Sequence, residues 1–255
     1  PRQLDDAQWR TNRATHHPIV LYDYAPSRAG SVAEKLLSGF SGYLQTDDYV
    51  GYHAVGRQED ISHVGCWAHA RRKFVDAQKA TTSKDKKTAR TGKADVAINY
   101  IAKLYAIEKQ AKDASSEARR QLRQEKSVPI LNALREWLDK TLHSTLPKGL
   151  LGTALGYLNK NWEKLVAYTE DGDVNIDNNL AENAIRPFVI GRKNWPFSAT
   201  PRGAHASAAI YSLIETAKAN GLEPYAYLRE VFARLPSISS DEELQALPPW
   251  NVSLV

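Results

Sequence analysis

The sequence predicts an α/β fold interrupted by a large helical block, and three observations carry that expectation. Near the start, short apolar runs of strand length flank a helical stretch, as in a β-α-β unit with a parallel sheet. From residue 75 to residue 172 the apolar residues take a helical period and form three broad stripes. After a loop at 191–203, helical periodicity resumes and continues toward the end.

Each element has its own signal. Residues 1–17 are polar and irregular. "PIVLYDY" (18–24) is a continuous apolar and aromatic run, as expected of a buried strand. Residues 27–40 read as a helix with Val32, Leu36 and Leu37 on one side, punctuated by Gly39 and Gly42. "GYLQTDDYVGY" (42–52) reads as a second strand ending in two acids, and "ISHVGCWAHARRKF" (61–74) as a short strand passing into a helix. In the helical block, 94–111 aligns Ala97, Ile101, Leu104 and Tyr105. The stretch 128–142 aligns Ile130, Leu131, Leu134, Trp137, Leu138 and Leu142 behind a first-turn Pro129, and 150–168 aligns Leu151, Leu155, Leu158, Trp162 and Leu165. Asp177 or Asn175 is expected to cap a helix carrying Glu182, and Pro187 to end it. Residues 204–219 form a strongly periodic helix stopped at Asn220-Gly221, and another helix spans 223–234.

Bulk properties narrow the function. The formal net charge of +5 leans toward a polyanionic partner. A single cysteine, Cys66, excludes a disulfide framework within the chain and fits a reducing compartment. No apolar run is long enough to span a bilayer, so no membrane partner is expected. The chain begins at Pro1 and contains no methionine, which leads to the expectation that an N-terminal part precedes it.

A few residues stand out chemically. Asp47 and Asp48 close a strand, where open α/β sheets build their sites, and strand alternation sends them to opposite faces. Glu182 is a solitary acid among amides and cations; it suits either an i,i+4 surface pair with Arg186 or, with Asp47, a hard divalent cation. Asn178 and Asn179 lie one turn from it. Arg71, Arg72 and Lys73 suit phosphate contacts, as do Arg192 and Lys193, while Trp195 suits base stacking or packing. The spacing of His63, Cys66 and His69 admits zinc, but a fourth ligand and a second cluster are absent, so a buried Cys66 is the favoured reading. Glu215 is a rival to Glu182 but fits a boundary residue held by a partner.

Several segments in order, "YAPSRAG", "GYLQTDDYVGY", "GCWAHARRKF", "NNLAENAIRPFVIGRKNWPFS" and "SLIETAKANGLEPYAYLREVFARLP", with "LPPW" near the end, together resemble the transposases of the IS66 insertion-sequence family. The resemblance implies a ribonuclease-H-like DDE domain with a large all-helical insertion and a helical C-terminal segment. The core's first part would be 1–74, the insertion 75–172, the core's second part 173–220 and the C-terminal segment 221–255. The family's second acid falls on Asp47 and its Glu on Glu182; Asp48 takes a place more often held by glycine. The first acid has no counterpart on a strand upstream of Pro18, where Asp5 and Asp6 lie in a polar stretch and Asp23 on a later run.

That family implies Mg²⁺, with Mn²⁺ as a substitute, held by Asp47 and Glu182. It also implies cleavage and strand transfer of insertion-sequence ends, in a homo-oligomer on DNA in the bacterial cytoplasm and nucleoid. Arg71, Arg72, Lys73, Arg186, Arg192, Lys193 and Trp195 would contact DNA. Without its first acid, the chain alone is expected to be inactive, and a truncated remnant that only binds DNA or assembles is the alternative.

Overall fold

A computed structural model describes residues 17–81, 92–191, 198 and 200–252. The chain divides into two compact units, residues 27–182 and residues 1–26 with 183–255. The structure is mostly helical, with a single two-stranded sheet among the described residues.

In the unit 27–182, helix α1 (Gly30–Leu36) leads into strand β1 (Gly42–Gln45). Two short 3₁₀ turns follow, Val50–Tyr52 and Val55–Arg57, before strand β2 (Ile61–Val64). The strands pair in parallel, from Gly42 opposite Ile61 to Gln45 opposite Val64. Parallel neighbours need a long crossover, and here the 3₁₀ turns supply it where a helix is usual. Ile61 packs with Ala33 and Val55 in a small cluster beneath the turns. Val64 faces the main core instead.

That core belongs to the helical block. Helix α2 (Trp67–Thr81) buries Trp67, Ala70, Phe74 and Ala77, a three-to-four-residue spacing that keeps one face inward. Helix α3 (Lys93–Gln110) contributes Ala97, Ile101 and Leu104. Helix α4 (Ser116–Leu122) starts where Ser115 Oγ accepts the Ala118 amide, then opens into a π turn, Arg123–Ser127. Helices α5 (Val128–His143) and α6 (Leu150–Lys160) add Leu131, Leu134 and Leu138, and Ala154, Leu155 and Leu158. The stripe expected over 150–168 is broken at Asn161, after which α7 (Trp162–Val166) and a 3₁₀ turn (Ala167–Thr169) complete it. No strand interrupts the described residues of 75–172. The sequence reading missed α4 and the π turn, half of whose residues are charged and which carry no apolar stripe.

Helix α8 (Asn179–Gly191) carries the division between the units, after Glu182. It passes through Pro187 instead of ending there, a correction to the sequence expectation. The proline removes one amide donor, and the helix continues across the gap.

In the other unit, α9 (Pro201–Ala219) begins at Thr200, whose Oγ1 accepts the Gly203 amide. It stops as expected, with Gly221 at φ 77° and the Leu222 amide returning to the Ala217 carbonyl. Helix α10 (Pro224–Arg234) is capped by Glu223, and a short α11 (Asp241–Gln245) by Ser240. Ala217, Tyr227, Val231, Leu247 and Val252 form this unit's core, where the Tyr227 hydroxyl donates to the Leu247 carbonyl at 3.0 Å.

Residues 18–24 are a second correction. They are extended but form no strand ladder. The Val20 amide donates to Thr216 Oγ1, which donates back to the Val20 carbonyl, and the Tyr22 amide donates to Ser212 Oγ. Helix hydroxyls thus replace a neighbouring strand. Ile19 and Leu21 stay 60% and 69% exposed, so the run is not buried as the sequence predicts.

Candidate active site

Both strands end on the same side of the parallel pair, and the residues following them hold the chemistry. β1 runs into Thr46, Asp47 and Asp48. β2 runs into Gly65 and Cys66 and then the first turn of α2, with His69. Gln45 Nε2 donates to the Asn175 carbonyl at 2.7 Å and to the Gly65 carbonyl at 3.3 Å, tying β1 to β2 and to the segment before α8.

The two aspartates differ sharply. Asp47 is exposed; its Oδ1 accepts the Tyr49 amide at 3.0 Å, a local turn that holds the carboxylate at the strand end. Asp48 adopts φ 67°, the left-handed region, and turns into a cluster of donors. Lys164 Nζ lies 2.8 Å and His53 Nε2 3.0 Å from its Oδ1, and Asn161 Nδ2 lies 3.0 Å and Lys160 Nζ 3.3 Å from its Oδ2. Burial alone would raise the Asp48 carboxyl, but hydrogen bonds from Lys164, Asn161 and His53 and the Lys164 charge hold it well below the usual carboxylate range. Asp48 is a paired structural acid, and Asp47 is the one left open.

Glu182 sits in the first turn of α8, where the helix dipole favours a carboxylate. Its side chain is 39% exposed, and Oε1 lies 3.3 Å from His69 Nε2. Its polar side-chain partner among the described residues is therefore His69, from the helix that follows β2, and not Arg186. Asp177 caps α8 locally: its Oδ1 accepts the Asn179 amide at 3.1 Å, and its Oδ2 accepts Tyr105 Oη at 2.7 Å. The Asn175 carbonyl accepts Gln45 Nε2, and the residue lies four positions ahead of α8. His69 Nδ1 and Asn178 Oδ1 are buried without a hydrogen-bond partner among the described residues.

Burial, with the Asp48 charge adding to it, pushes the Tyr157 hydroxyl up, and Lys73 Nζ lies 4.7 Å from the centroid of its ring. Burial also pushes the Cys66 thiol up, against partial compensation from the amides of Asn178, His69 and Ala68. A thiol so held is a poor nucleophile and a poor metal ligand.

His63, Cys66 and His69 diverge. His63 Nε2 hydrogen-bonds Thr46 Oγ1 at 2.8 Å, Cys66 is buried, and His69 takes Glu182. No group of three or more His, Cys, Asp or Glu gathers among the described residues. Glu215 pairs with Lys218 at 2.7 Å, a boundary residue as read from the sequence.

Arg71 and Arg72 are exposed on α2 and Arg186 is exposed on α8, while Lys73 is half-buried over Tyr157. Arg192, Lys193 and Trp195 lie outside the described residues. Sequence reasoning missed His69 as the partner of Glu182, and Lys160, Asn161 and Lys164 as partners of Asp48. The i,i+4 spacing of Lys160 and Lys164 is a signal for a shared face, but it names no target.

The family model described as "Transposase IS66 family" matches residues 5–206, and that described as "IS66 C-terminal element" matches residues 212–250. The uncharacterized protein y4jD of Sinorhizobium fredii is 33% identical over 255 residues, covering 97% of this chain and 48% of that protein. Two more uncharacterized proteins of the same organism, y4qI and y4hP, are each 33% identical, covering 93% of this chain and 44% of their own length. The chain therefore spans about half the length of the curated relatives it matches. No solved structure matches it significantly.

Proposed function

We propose, from the premise that this chain belongs to the IS66 transposase family, that it carries part of the catalytic apparatus of a metal-dependent enzyme that cuts and joins DNA at insertion-sequence ends. One observation carries the reading. Two open carboxylates, Asp47 and Glu182, are anchored at the carboxyl end of a parallel strand pair, Asp47 directly after β1 and Glu182 through His69 after β2.

The donor chemistry fits a hard divalent cation such as Mg²⁺, or Mn²⁺ in its place, because exposed carboxylate oxygens are its usual protein ligands. When bound, such ions supply Lewis-acid activation of the attacking hydroxyl and of the leaving oxygen in an in-line displacement at phosphorus. The protein's own part is positional. The turn onto the Tyr49 amide aims Asp47 outward, and His69 with the α8 dipole orients Glu182. Arg71, Arg72, Lys73, Arg186, Arg192 and Lys193 would neutralise backbone phosphates, and Trp195 would stack on a base.

Asp47 and Glu182 would be two acids of the set, and a third is expected from outside the described residues. In this reading the sheet and α8 belong to a ribonuclease-H-like core and 75–172 is its insertion. The working form is a homo-oligomer on DNA in the nucleoid. The second reading is a module that binds DNA or assembles without cutting it; among the described residues no three acids gather.

Incubating the whole protein with duplexes carrying the element's ends separates the two. The enzyme reading expects Mg²⁺-dependent strand cleavage that Glu182→Gln and Asp47→Asn abolish while DNA binding stays nearly intact. Binding without cleavage under every metal tested would leave the assembly module.

A further inference from the structure

Asp48 is the one non-glycine described residue with positive φ, at 67°. Backbone strain of this kind persists only where surrounding contacts over-determine it. Here they do. The Asp48 amide donates to Thr46 Oγ1 at 3.3 Å, and its two carboxylate oxygens receive four side-chain donors. Three of these, Lys160, Asn161 and Lys164, come from the junction of α6 and α7, more than a hundred positions along the chain. The fourth, His53, comes from the crossover between the strands. With a side chain only 10% exposed, Asp48 joins the end of β1 to the helical block.

The neighbouring residue gains from this. Among the described residues Asp47 is held directly by its own turn alone, so its direction depends on where the backbone at 48 is fixed. Charge matters as well. Lys160 and Lys164 place two ammonium groups beside the strand end, and the Asp48 carboxylate compensates them. Uncompensated, they would repel a divalent cation approaching Asp47.

We propose that Asp48 is a positioning residue, a clamp that uses the helical block to aim Asp47 and to neutralise the lysines next to it. The inference rests on the reading of Asp47 as a metal-holding acid. The helical block thereby contributes to the site without lending it a reacting group.

The test uses the whole protein and three variants. Asp48→Gly accepts the backbone conformation but removes the clamp; Asp48→Asn keeps the acceptor oxygen and tolerates positive φ. Lys160→Gln removes the most exposed partner, 64% exposed, and leaves Asp48 in place should the other two fail to fold. Mn²⁺ uptake is followed by electron paramagnetic resonance, cleavage by its Mg²⁺ dependence, and loop order by amide exchange at Tyr49 and Val50.

Asp48→Gly is expected to weaken Mn²⁺ binding by about tenfold or more, the usual effect of removing an outer-sphere support. The Mg²⁺ needed for half-maximal cleavage should rise in parallel, exchange at Tyr49 and Val50 should quicken, and DNA affinity should hold. Asp48→Asn should fall between that variant and the wild type. Lys160→Gln should quicken exchange while sparing Mn²⁺ binding, since it removes a positive charge. Variants that lose only melting temperature, with wild-type Mn²⁺ binding and exchange, overturn the clamp and leave the site reading standing. A wild-type protein that neither takes up Mn²⁺ nor cuts DNA overturns the site reading, and the clamp with it.

Discussion

His63 shows how a residue that carries no reaction still sets where the molecule is stable. Burial, then the positive charges of Lys164 and His53, lower its pKa to about 4, with Asp48 opposing them. An unfolded histidine titrates near ~6.5, so between about 6.5 and about 4 the unfolded chain binds the extra proton. Stability should therefore be full above about pH 6.5 and fall as the pH drops toward 4, by at most about 3 kcal/mol at ~1.4 kcal/mol per pH unit. Asp48, whose pKa is held down, adds its own loss only below about pH 4. Urea melts at pH 7 and pH 5 check this, and His63→Gln, which keeps a partner for Thr46, should flatten the difference. A wild-type curve already flat over that interval would mean His63 is not held neutral. At this scale the sequence was informative about where Asp47 and Glu182 sit, just after a strand and in a helix's first turn, because these are local patterns. The ties of Asp48 to Lys160 and Lys164 were not legible. They join residues 112 and 116 positions apart, and no local spacing encodes such a pair.

At the scale of elements, the helical block was readable wherever an apolar stripe repeats and unreadable where charge does the work. The π turn Arg123–Ser127 buries Arg123, whose guanidinium donates to Glu108 at 2.6 and 2.9 Å and to the carbonyls of Tyr168 and Asp171 at 2.7 and 2.6 Å. It also lies over the Tyr168 ring, 5.0 Å from its centroid. A helix with an inserted residue is often held by such a specific contact. Arg123→Met should cost about 3–5 kcal/mol, since it leaves Glu108 and two carbonyls without their donor. Denaturant unfolding measures this, and adding Glu108→Met should restore part of the loss, whereas a solvated pair would show neither effect. Helix α8 makes the opposite point. The sequence reading stopped it at Pro187 on backbone grounds, yet it runs on to Gly191. Pro187→Ala supplies the missing amide opposite the Asn183 carbonyl and removes a cost of up to ~3 kcal/mol on the intrinsic helix scale. Amide exchange over 187–191 should slow; unchanged rates would mean the helix is already fully ordered by other contacts.

At the scale of the whole molecule, sequence patterning described composition along the chain, whereas one of the two units joins segments distant in sequence. Residues 18–24 belong with α9 because backbone amides near the start find hydroxyls at Ser212 and Thr216, a pairing that resembles nothing in a list of propensities. The net charge of +5 is equally a property of the whole, and its test is salt. If the six basic residues Arg71, Arg72, Lys73, Arg186, Arg192 and Lys193 all meet duplex phosphates, each releases close to one counterion. The logarithm of the association constant should then fall against the logarithm of salt with a slope of about −5. Arg71 and Arg72 are both exposed on α2 and adjacent to the Lys73 that covers Tyr157, so they are the pair to remove first. Arg71→Ala with Arg72→Ala should weaken binding to all duplex sequences alike and make the slope shallower by about 2. Fluorescence anisotropy over a salt series reads both numbers. A slope that does not move when the pair is removed would make them a solvated helix face and shift the DNA track to α8 and the residues that follow it.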